Sequence, residues 1–211
     1  MCRILYARAD TPFPIGELLQ PFAAMSQASK EFQGHGWGCA WRGDRGWAQY
    51  HDIRPVWEDD LDQFGSTCLL LVHARSAFRD EGIVVENNMP FSDGESMFVF
   101  NGELRGVRIR SEGRIGAEKI YNYIRRFDKG DKTAATDKAV EIIKKRSAYI
   151  RAMNLVLSDA EHSCLSTSFS EQPEYFQMHE CRKGDLHLVC SRPLDDDGDW
   201  TLIENNTTKT L

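Results

Sequence analysis

Residues at three places in the sequence have side chains or backbone groups that could take part in catalysis, and the first of them is Cys2. A cysteine directly after the initiator Met1 becomes the first residue if Met1 is trimmed, and it then carries a thiol and a free α-amine. An α-amine titrates at roughly pH 7.7 to 8.0, so it can accept the thiol proton near neutral pH. Cys2 is thus a candidate nucleophile that carries its own base. The alternative is a buried cysteine that begins the first strand.

The other two places follow apolar runs that predict buried strands. Arg75 ends the run that begins at Thr67, and a guanidinium there could hold a carboxylate by two parallel hydrogen bonds. Asn101 and Gly102 follow the run Met97–Phe100, and a side-chain amide beside a backbone N–H can form an oxyanion hole. The alternatives are a surface arginine at a strand end and an Asn-Gly hairpin turn. The glycines of the segment 34–38 suit either a close approach to a ligand or a tight turn.

The elements that position these residues are predicted from periodicity. Residues 2–8 form a first strand that the segment 11–14 should end, and a helix follows from Ile15. Val107–Arg110 is predicted to pair with the strand before Asn101, two helices follow, and Tyr175–Met178 is among the later strands. Strands and helices that are segregated in this way favour antiparallel sheets with helices packed outside, an α+β fold. We expect a single domain over residues 1–211.

Composition excludes several classes of protein. The chain has 26 basic and 32 acidic residues and a formal charge of -6, which disfavours nucleic acid as a partner. Charges interrupt every apolar run before it could span a membrane, so we expect no membrane association and a cytoplasmic location. Six cysteines without a Cys-x-x-Cys spacing are expected to be reduced thiols. The histidines have no metal-ligand spacing, and we predict no metal and no cofactor.

Several motifs together resemble the class II glutamine amidotransferases. The quoted segments are Cys-Arg-Ile-Leu at 2–5, Gly-His-Gly-Trp-Gly at 34–38, His-Ala-Arg at 73–75, Asn-x-x-Pro-Phe at 87–91, Phe-x-Phe-Asn-Gly-Glu-Leu at 98–104 and Cys-Ser-Arg-Pro at 190–193. The segment Cys-Ser-Arg-Pro at 190–193 is similar to the corresponding segment of the small, stand-alone members of this family.

The resemblance implies an N-terminal nucleophile hydrolase fold, a four-layer αββα sandwich of two antiparallel sheets. It also implies catalytic roles for Cys2, Asn101 and Gly102, and binding of the substrate α-carboxylate by Arg75. The implied chemistry is attack on a side-chain amide, release of ammonia and hydrolysis of a γ-glutamyl thioester. No synthase domain follows residue 211, so an ammonia acceptor would be a separate subunit.

The sequence also departs from the family pattern. Phe78 and Met89 replace a threonine and a histidine, and Gly116 stands where the family has an aspartate for the substrate α-amino group. A missing carboxylate disfavours free glutamine and favours a substrate that lacks a free α-amine, unless Glu112, Glu118 or another acid substitutes for it. Two other interpretations stay open: a non-catalytic binding or scaffold protein with a degenerate glutamine pocket, and a redox sensor that uses the N-terminal thiol.

Overall fold

The computed structural model describes residues 1–211 and contains twelve strands and four α-helices. Numbered along the chain, the strands are β1 (Arg3–Pro14), β2 (Trp37–Gly43), β3 (Gly46–Asp52), β4 (Ser66–Ala74), β5 (Phe91–Ser92), β6 (Met97–Arg105), β7 (Tyr149–Ser158), β8 (Ser163–Thr167), β9 (His179–Lys183), β10 (Leu186–Cys190), β11 (Thr201–Leu202) and β12 (Thr207–Thr210). The helices are α1 (Ile15–Gln27), α2 (Gly116–Arg125), α3 (Lys132–Arg146) and α4 (Pro173–Phe176).

The chain divides into two compact units. The first consists of Met1–Pro90 with Gln177–Ile203, and the second consists of Phe91–Phe176 with Glu204–Leu211. Each unit contains one antiparallel sheet with helices packed on it, so the α+β class with two antiparallel sheets is confirmed.

The first unit is a seven-stranded sheet in the order β11-β9-β10-β1-β4-β2-β3. Helix α1 covers one face, where Leu19 and Phe22 pack with Leu5, Leu70 and Val72 in the buried core. Strand β4 carries the apolar run of the sequence, and it lies between β1 and β2 because a strand buried on both faces needs apolar side chains at nearly every position.

The first strand is longer than the sequence predicts. β1 does not end at residue 11 but continues to Pro14, with an irregularity in its pairing to β4 between Arg8 and Phe13. Prolines are tolerated there because pairing is irregular and a missing N–H costs no regular ladder bond. Helix α1 begins at the next residue, Ile15, and runs through Pro21 without interruption.

The second unit is a five-stranded sheet in the order β12-β8-β7-β6-β5. Helix α2 lies over one face, where Tyr121 stacks on Phe98 with 5.0 Å between ring centroids. Helix α3 packs on β8 and β12. The predicted pair of helices is therefore confirmed, and both belong to this unit.

Two of the predicted strands are wrong. Val107–Arg110 does not pair with β6, because Gly106 turns the chain at a φ of 63° and the Arg108 N–H bonds the carbonyl of Arg146 at 2.9 Å. Tyr175 and Phe176 belong to helix α4 rather than to a strand, since Pro173 suits a first helical position.

No helix combines the length and the apolar character that a bilayer-spanning segment requires.

Candidate active site

The position of Cys2 follows from the start of β1. Arg3 pairs with Ala74 and Ile4 with His73, so the first residues of β1 lie beside the last residues of β4. On the other side, the Ile4 N–H donates to Ser191 Oγ at 2.9 Å and the Ser191 N–H donates to the Ile4 carbonyl at 3.0 Å. Cys2 thus directly precedes a strand that is held on both sides.

The sulfur of Cys2 contacts the peptide groups of Ser76. The Ser76 N–H donates to Cys2 Sγ at 3.4 Å, and the Cys2 thiol donates to the Ser76 carbonyl at 3.7 Å. A backbone N–H directed at sulfur stabilises negative charge on it, as a nucleophilic thiolate requires. Cys2 is half-buried, whereas Cys39, Cys164, Cys181 and Cys190 are buried; Cys68 is the other half-buried cysteine, and all six thiols are free.

Burial governs the acid–base behaviour of the deep thiols. Burial raises the pKa of the Cys190 thiol to about 12 and that of the Cys164 thiol to about 11. Thiols of this kind stay protonated at neutral pH and are poor nucleophiles. They act as small core side chains.

Met1 is held by side chains of the segment that follows α1. Its α-amine is paired with the Glu31 carboxylate, and its carbonyl accepts a hydrogen bond from Gln33 Nε2 at 2.6 Å. These contacts place the Met1–Cys2 peptide bond among polar side chains of the first unit.

Arg75 lies at the end of β4 and is 5% exposed. Its Nη2 donates to the Gly82 carbonyl at 2.9 Å, while its Nη1 is buried and has no hydrogen-bond partner. Burial lowers the pKa of the guanidinium from its ordinary value, and the charge of the nearby Cys2 sulfur opposes this effect. A buried donor without a partner is costly to the folded protein.

The turn at 34–38 holds Arg75 in place through backbone contacts. The Arg75 N–H donates to the Gly36 carbonyl at 2.9 Å, and the His35 N–H donates to the Arg75 carbonyl at 3.1 Å. Gly36 has a φ of 106°, and a Cβ there would lie 2.2 Å from the amide nitrogen of Asn88. This glycine is required by packing against protein atoms, which favours the turn alternative over a ligand approach.

Asn101 lies in the middle of β6, so the prediction that the strand ends at Asn101-Gly102 is wrong. It pairs with Asn154 of β7, and both side chains extend from the same face of the sheet. Asn154 donates to the Phe176 carbonyl at 2.8 Å and accepts from the Thr167 hydroxyl at 2.7 Å. Asn101 is 1% exposed, yet neither atom of its amide has a hydrogen-bond partner.

Gly102 is also a strand residue rather than a turn residue. It pairs with Met153, and a Cβ at this position would lie 2.3 Å from the Ala152 carbonyl and 2.5 Å from the Phe100 ring. The hairpin alternative therefore fails because β7 continues the pairing past the Asn-Gly dipeptide. The unusual feature of this part of the sheet is the buried side-chain amide of Asn101, which has no hydrogen-bond partner.

Gly116 is the first residue of α2, and no atom lies within 4 Å of where its Cβ would be. Glu118 is bound by Arg114, whose Nη2 donates to Glu118 Oε1 at 2.7 Å, and Glu112 is exposed. The Arg114 guanidinium lowers the pKa of Glu118. Glu118 is thus already engaged as a carboxylate. No group of three or more His, Cys, Asp or Glu side chains has an arrangement suited to a metal ion.

The structure brings Cys2 and Arg75 together within the first unit, and it places Asn101 and Gly102 next to each other on β6 of the second unit. Sequence reasoning did not single out Ser76 or His35. Ser76 acts through its backbone, which leaves no signal in residue type, whereas His35 lies inside the glycine-rich segment 34–38 that the sequence had marked.

Comparison with known proteins identifies the fold. No family model and no curated protein sequence matches the chain. Among solved structures, it is similar to a glutamine aminotransferase class-II domain protein from Silicibacter pomeroyi, with a TM-score of 0.67 and 17% identity over 99% of this chain and 94% of that chain. A predicted glutamine amidotransferase from Pseudomonas aeruginosa matches with a TM-score of 0.61 and 16% identity, over 99% of this chain and 96% of that one.

A larger enzyme has a similar fold over part of its length. The glutamine phosphoribosylpyrophosphate amidotransferase of B. subtilis matches with a TM-score of 0.71 and 12% identity, over 100% of this chain and 49% of that chain. The chain therefore spans about half the length of that enzyme. Its fold is that of the glutamine amidotransferase class-II domain structures that it matches, as the sequence motifs implied.

Replacement of Gly36 by alanine tests the turn that holds Arg75. Gly36→Ala should destabilise the protein by roughly 2 kcal/mol or more, because the new methyl group meets Asn88 and the Asp52 carbonyl at a positive φ. Gly116→Ala is the matched control, since open space surrounds that position, and its unfolding midpoint should stay the same or rise slightly. Chemical unfolding of both variants makes the comparison, and equal midpoints would contradict the packing argument.

Proposed function

We propose that this chain is a class II glutamine amidotransferase-like hydrolase in which Cys2 attacks the side-chain amide of glutamine or of a γ-glutamyl compound. The observation that carries the proposal is the environment of the Cys2 sulfur: a backbone N–H at 3.4 Å and, close by, a buried guanidinium with an unpartnered Nη1. We propose residues 1–211 as one domain with this activity, which the coverage of 99% of this chain in the Silicibacter pomeroyi match supports.

The proposed nucleophile requires removal of Met1. Cys2 then carries the α-amine, which takes the thiol proton while the sulfur attacks the amide carbon. A carbon–sulfur bond forms and the carbonyl π pair moves onto oxygen. When this tetrahedral intermediate collapses, the carbon–nitrogen bond breaks and the protonated α-amine supplies the proton that leaves with ammonia. Water then cleaves the γ-glutamyl thioester, which yields a carboxylate and restores the thiol.

We propose Asn101 and Gly102 as the donors that stabilise the oxyanion. Support comes from the second unit alone: the Asn101 amide is fully buried and unpartnered, although a buried amide without partners costs about 1 to 3 kcal/mol. An unpaired buried amide is consistent with a group that forms its hydrogen bonds only when substrate is bound. Preorganised donors of this kind act on charge that develops only in the transition state.

The proposed substrate keeps the α-carboxylate and lacks a free α-ammonium group. Arg75 supplies a guanidinium whose Nη2 is anchored by Gly82, and this leaves Nη1 for a carboxylate oxygen. Gly116 has no side chain to bind an ammonium group, and Glu118 is engaged by Arg114. An N-acylated glutamine fits these groups better than free glutamine. If ammonia is transferred rather than released, its acceptor would be bound by a separate synthase subunit.

A second candidate is a non-catalytic binding protein of the same fold. It is favoured by Phe78, which is 59% exposed, and by Gly116, since both depart from the family pattern. Under this alternative, the pocket would bind a glutamine-like ligand without a covalent step.

Covalent labelling separates the two candidates. Incubation with an N-acylated diazoketone analogue of glutamine should add one adduct to the trimmed wild-type protein and none to Cys2→Ala, as measured by intact mass. Cys68→Ala is the control, because Cys68 is the other half-buried thiol and its loss should leave labelling unchanged. Complete removal of Met1 without any adduct would exclude the catalytic proposal.

The two paired asparagines provide a matched test of the oxyanion hole. Asn101→Ala should lower kcat about 10²-fold or more, with little loss of stability, because its amide bonds nothing in the folded protein. Asn154→Ala should lower the unfolding free energy by roughly 2 kcal/mol or more, because it leaves the Phe176 carbonyl and the Thr167 hydroxyl unpaired. Steady-state kinetics and chemical unfolding on both variants make the comparison; a large stability loss in Asn101→Ala with unchanged kcat would contradict the assignment.

A further inference from the structure

His35 lies next to the segment that contacts the Cys2 sulfur, and its ring makes two polar contacts to that segment. The Ala77 N–H donates to His35 Nδ1 at 2.9 Å. On the opposite edge of the ring, His35 Nε2 lies 3.5 Å from Asp80 Oδ1. The Phe32 ring packs edge-on against the imidazole with 5.0 Å between ring centroids, so an apolar side chain covers part of it.

These contacts define the tautomer of the ring. Because Nδ1 accepts the Ala77 N–H, it carries no proton, and the proton of the neutral ring is on Nε2, towards Asp80. The Nδ1 lone pair therefore already accepts a hydrogen bond, and the protonated Nε2 has no lone pair that could accept a proton. His35 is not arranged to take the proton of Cys2, which excludes a Cys–His dyad.

His35 instead holds Ser76 from both sides along the chain. Its backbone N–H donates to the carbonyl of Arg75, the residue before Ser76, and its ring accepts the N–H of Ala77, the residue after it. Between these two points, the Ser76 N–H is directed at Cys2 Sγ at 3.4 Å.

We propose that His35 is a positioning residue that holds the Ser76 peptide group against the Cys2 sulfur, and that protonation of its ring releases this segment. The proposal rests on the proposed role of Cys2 as a nucleophile. A protonated imidazole has an N–H on both nitrogens, so Nδ1 would face the Ala77 N–H as a second donor and the hydrogen bond would be lost.

The charged groups around His35 determine the pH at which this segment is released. Burial lowers the pKa of His35 from its ordinary value of 6.5; Asp80 opposes this effect, while Arg75 and the α-amine of residue 1 reinforce it. A lowered pKa in the folded protein means that the unfolded chain binds the proton first. The contribution of the Ala77 bond is therefore complete above about pH 6.5 and is lost as the pH falls through the lowered pKa of the folded state.

The bond itself is tested by amide hydrogen exchange of Ala77, measured by NMR at neutral pH. Protection should be lost in His35→Ala and kept in His35→Asn, because the asparagine Oδ1 lies near the position of Nδ1 and accepts the same bond. His162→Asn is the matched control, since His162 is 66% exposed. Unchanged protection of Ala77 in a folded His35→Ala variant would overturn the proposal, and this measurement does not depend on enzymatic activity.

The link to Cys2 is tested by the rate of labelling with the diazoketone analogue as a function of pH. The ratio of the wild-type rate to the His35→Asn rate should be level above about pH 6.5 and fall about 2- to 10-fold at lower pH, since asparagine does not titrate. Asp80→Asn should move this fall to lower pH, because the carboxylate that raises the pKa of His35 is gone; Asp80 is 79% exposed, so the variant should fold normally.

The outcomes separate the two proposals. A rate ratio that is independent of pH, with Ala77 protection behaving as described, would overturn the positioning role. Absence of any labelling of the trimmed wild-type protein would instead overturn the proposed function, while the Ala77 exchange pattern would still decide whether His35 holds the segment.

Discussion

The candidate site depends on the antiparallel pairing between the start of β1 and the end of β4. This pairing places Arg3 opposite Ala74, so Cys2 and Ser76 come together although they lie 74 residues apart in the chain. The two hydrogen bonds between Ile4 and Ser191 hold the other side of β1. The ends of three segments meet here, and this places Cys2, next to the start of β1, against the peptide groups of Ser76.

Two of the candidate site residues, Asn101 and Arg75, contain buried polar atoms without hydrogen-bond partners. Asn101 and Asn154 are neighbours on one face of the same sheet and are equally buried, yet Asn154 bonds three protein groups and Asn101 bonds none. Arg75 shows the same contrast within one side chain, because its Nη2 donates a hydrogen bond to a protein carbonyl whereas its Nη1 has no hydrogen-bond partner. Folded proteins rarely leave such groups unpaired, so the unpaired atoms of Asn101 and Arg75 support the roles proposed for them.

Residue types and motif order were sufficient to predict the α+β fold and to select Cys2, Arg75, Asn101 and Gly102 as candidates. Local signals failed where tertiary pairing overrides them: Asn101-Gly102 reads as a hairpin turn, but β7 continues the ladder past it. The roles of Ser76 and His35 could not be predicted because they depend on a backbone N–H and on which ring nitrogen the loop faces. The polar strand β9, His179–Lys183, was missed because only its pairing with β10 identifies it.

In the proposed mechanism, one residue supplies both the nucleophile and its base. The most direct measurement compares amide hydrolysis by the protein with Met1 removed and by the same chain with an uncleaved N-terminal extension, using glutamine and N-acylated glutamine as substrates. Both forms contain the Cys2 thiol, but only the first has the α-amine on that residue. The account predicts hydrolysis by the trimmed form alone. Equal rates in the two forms would contradict it.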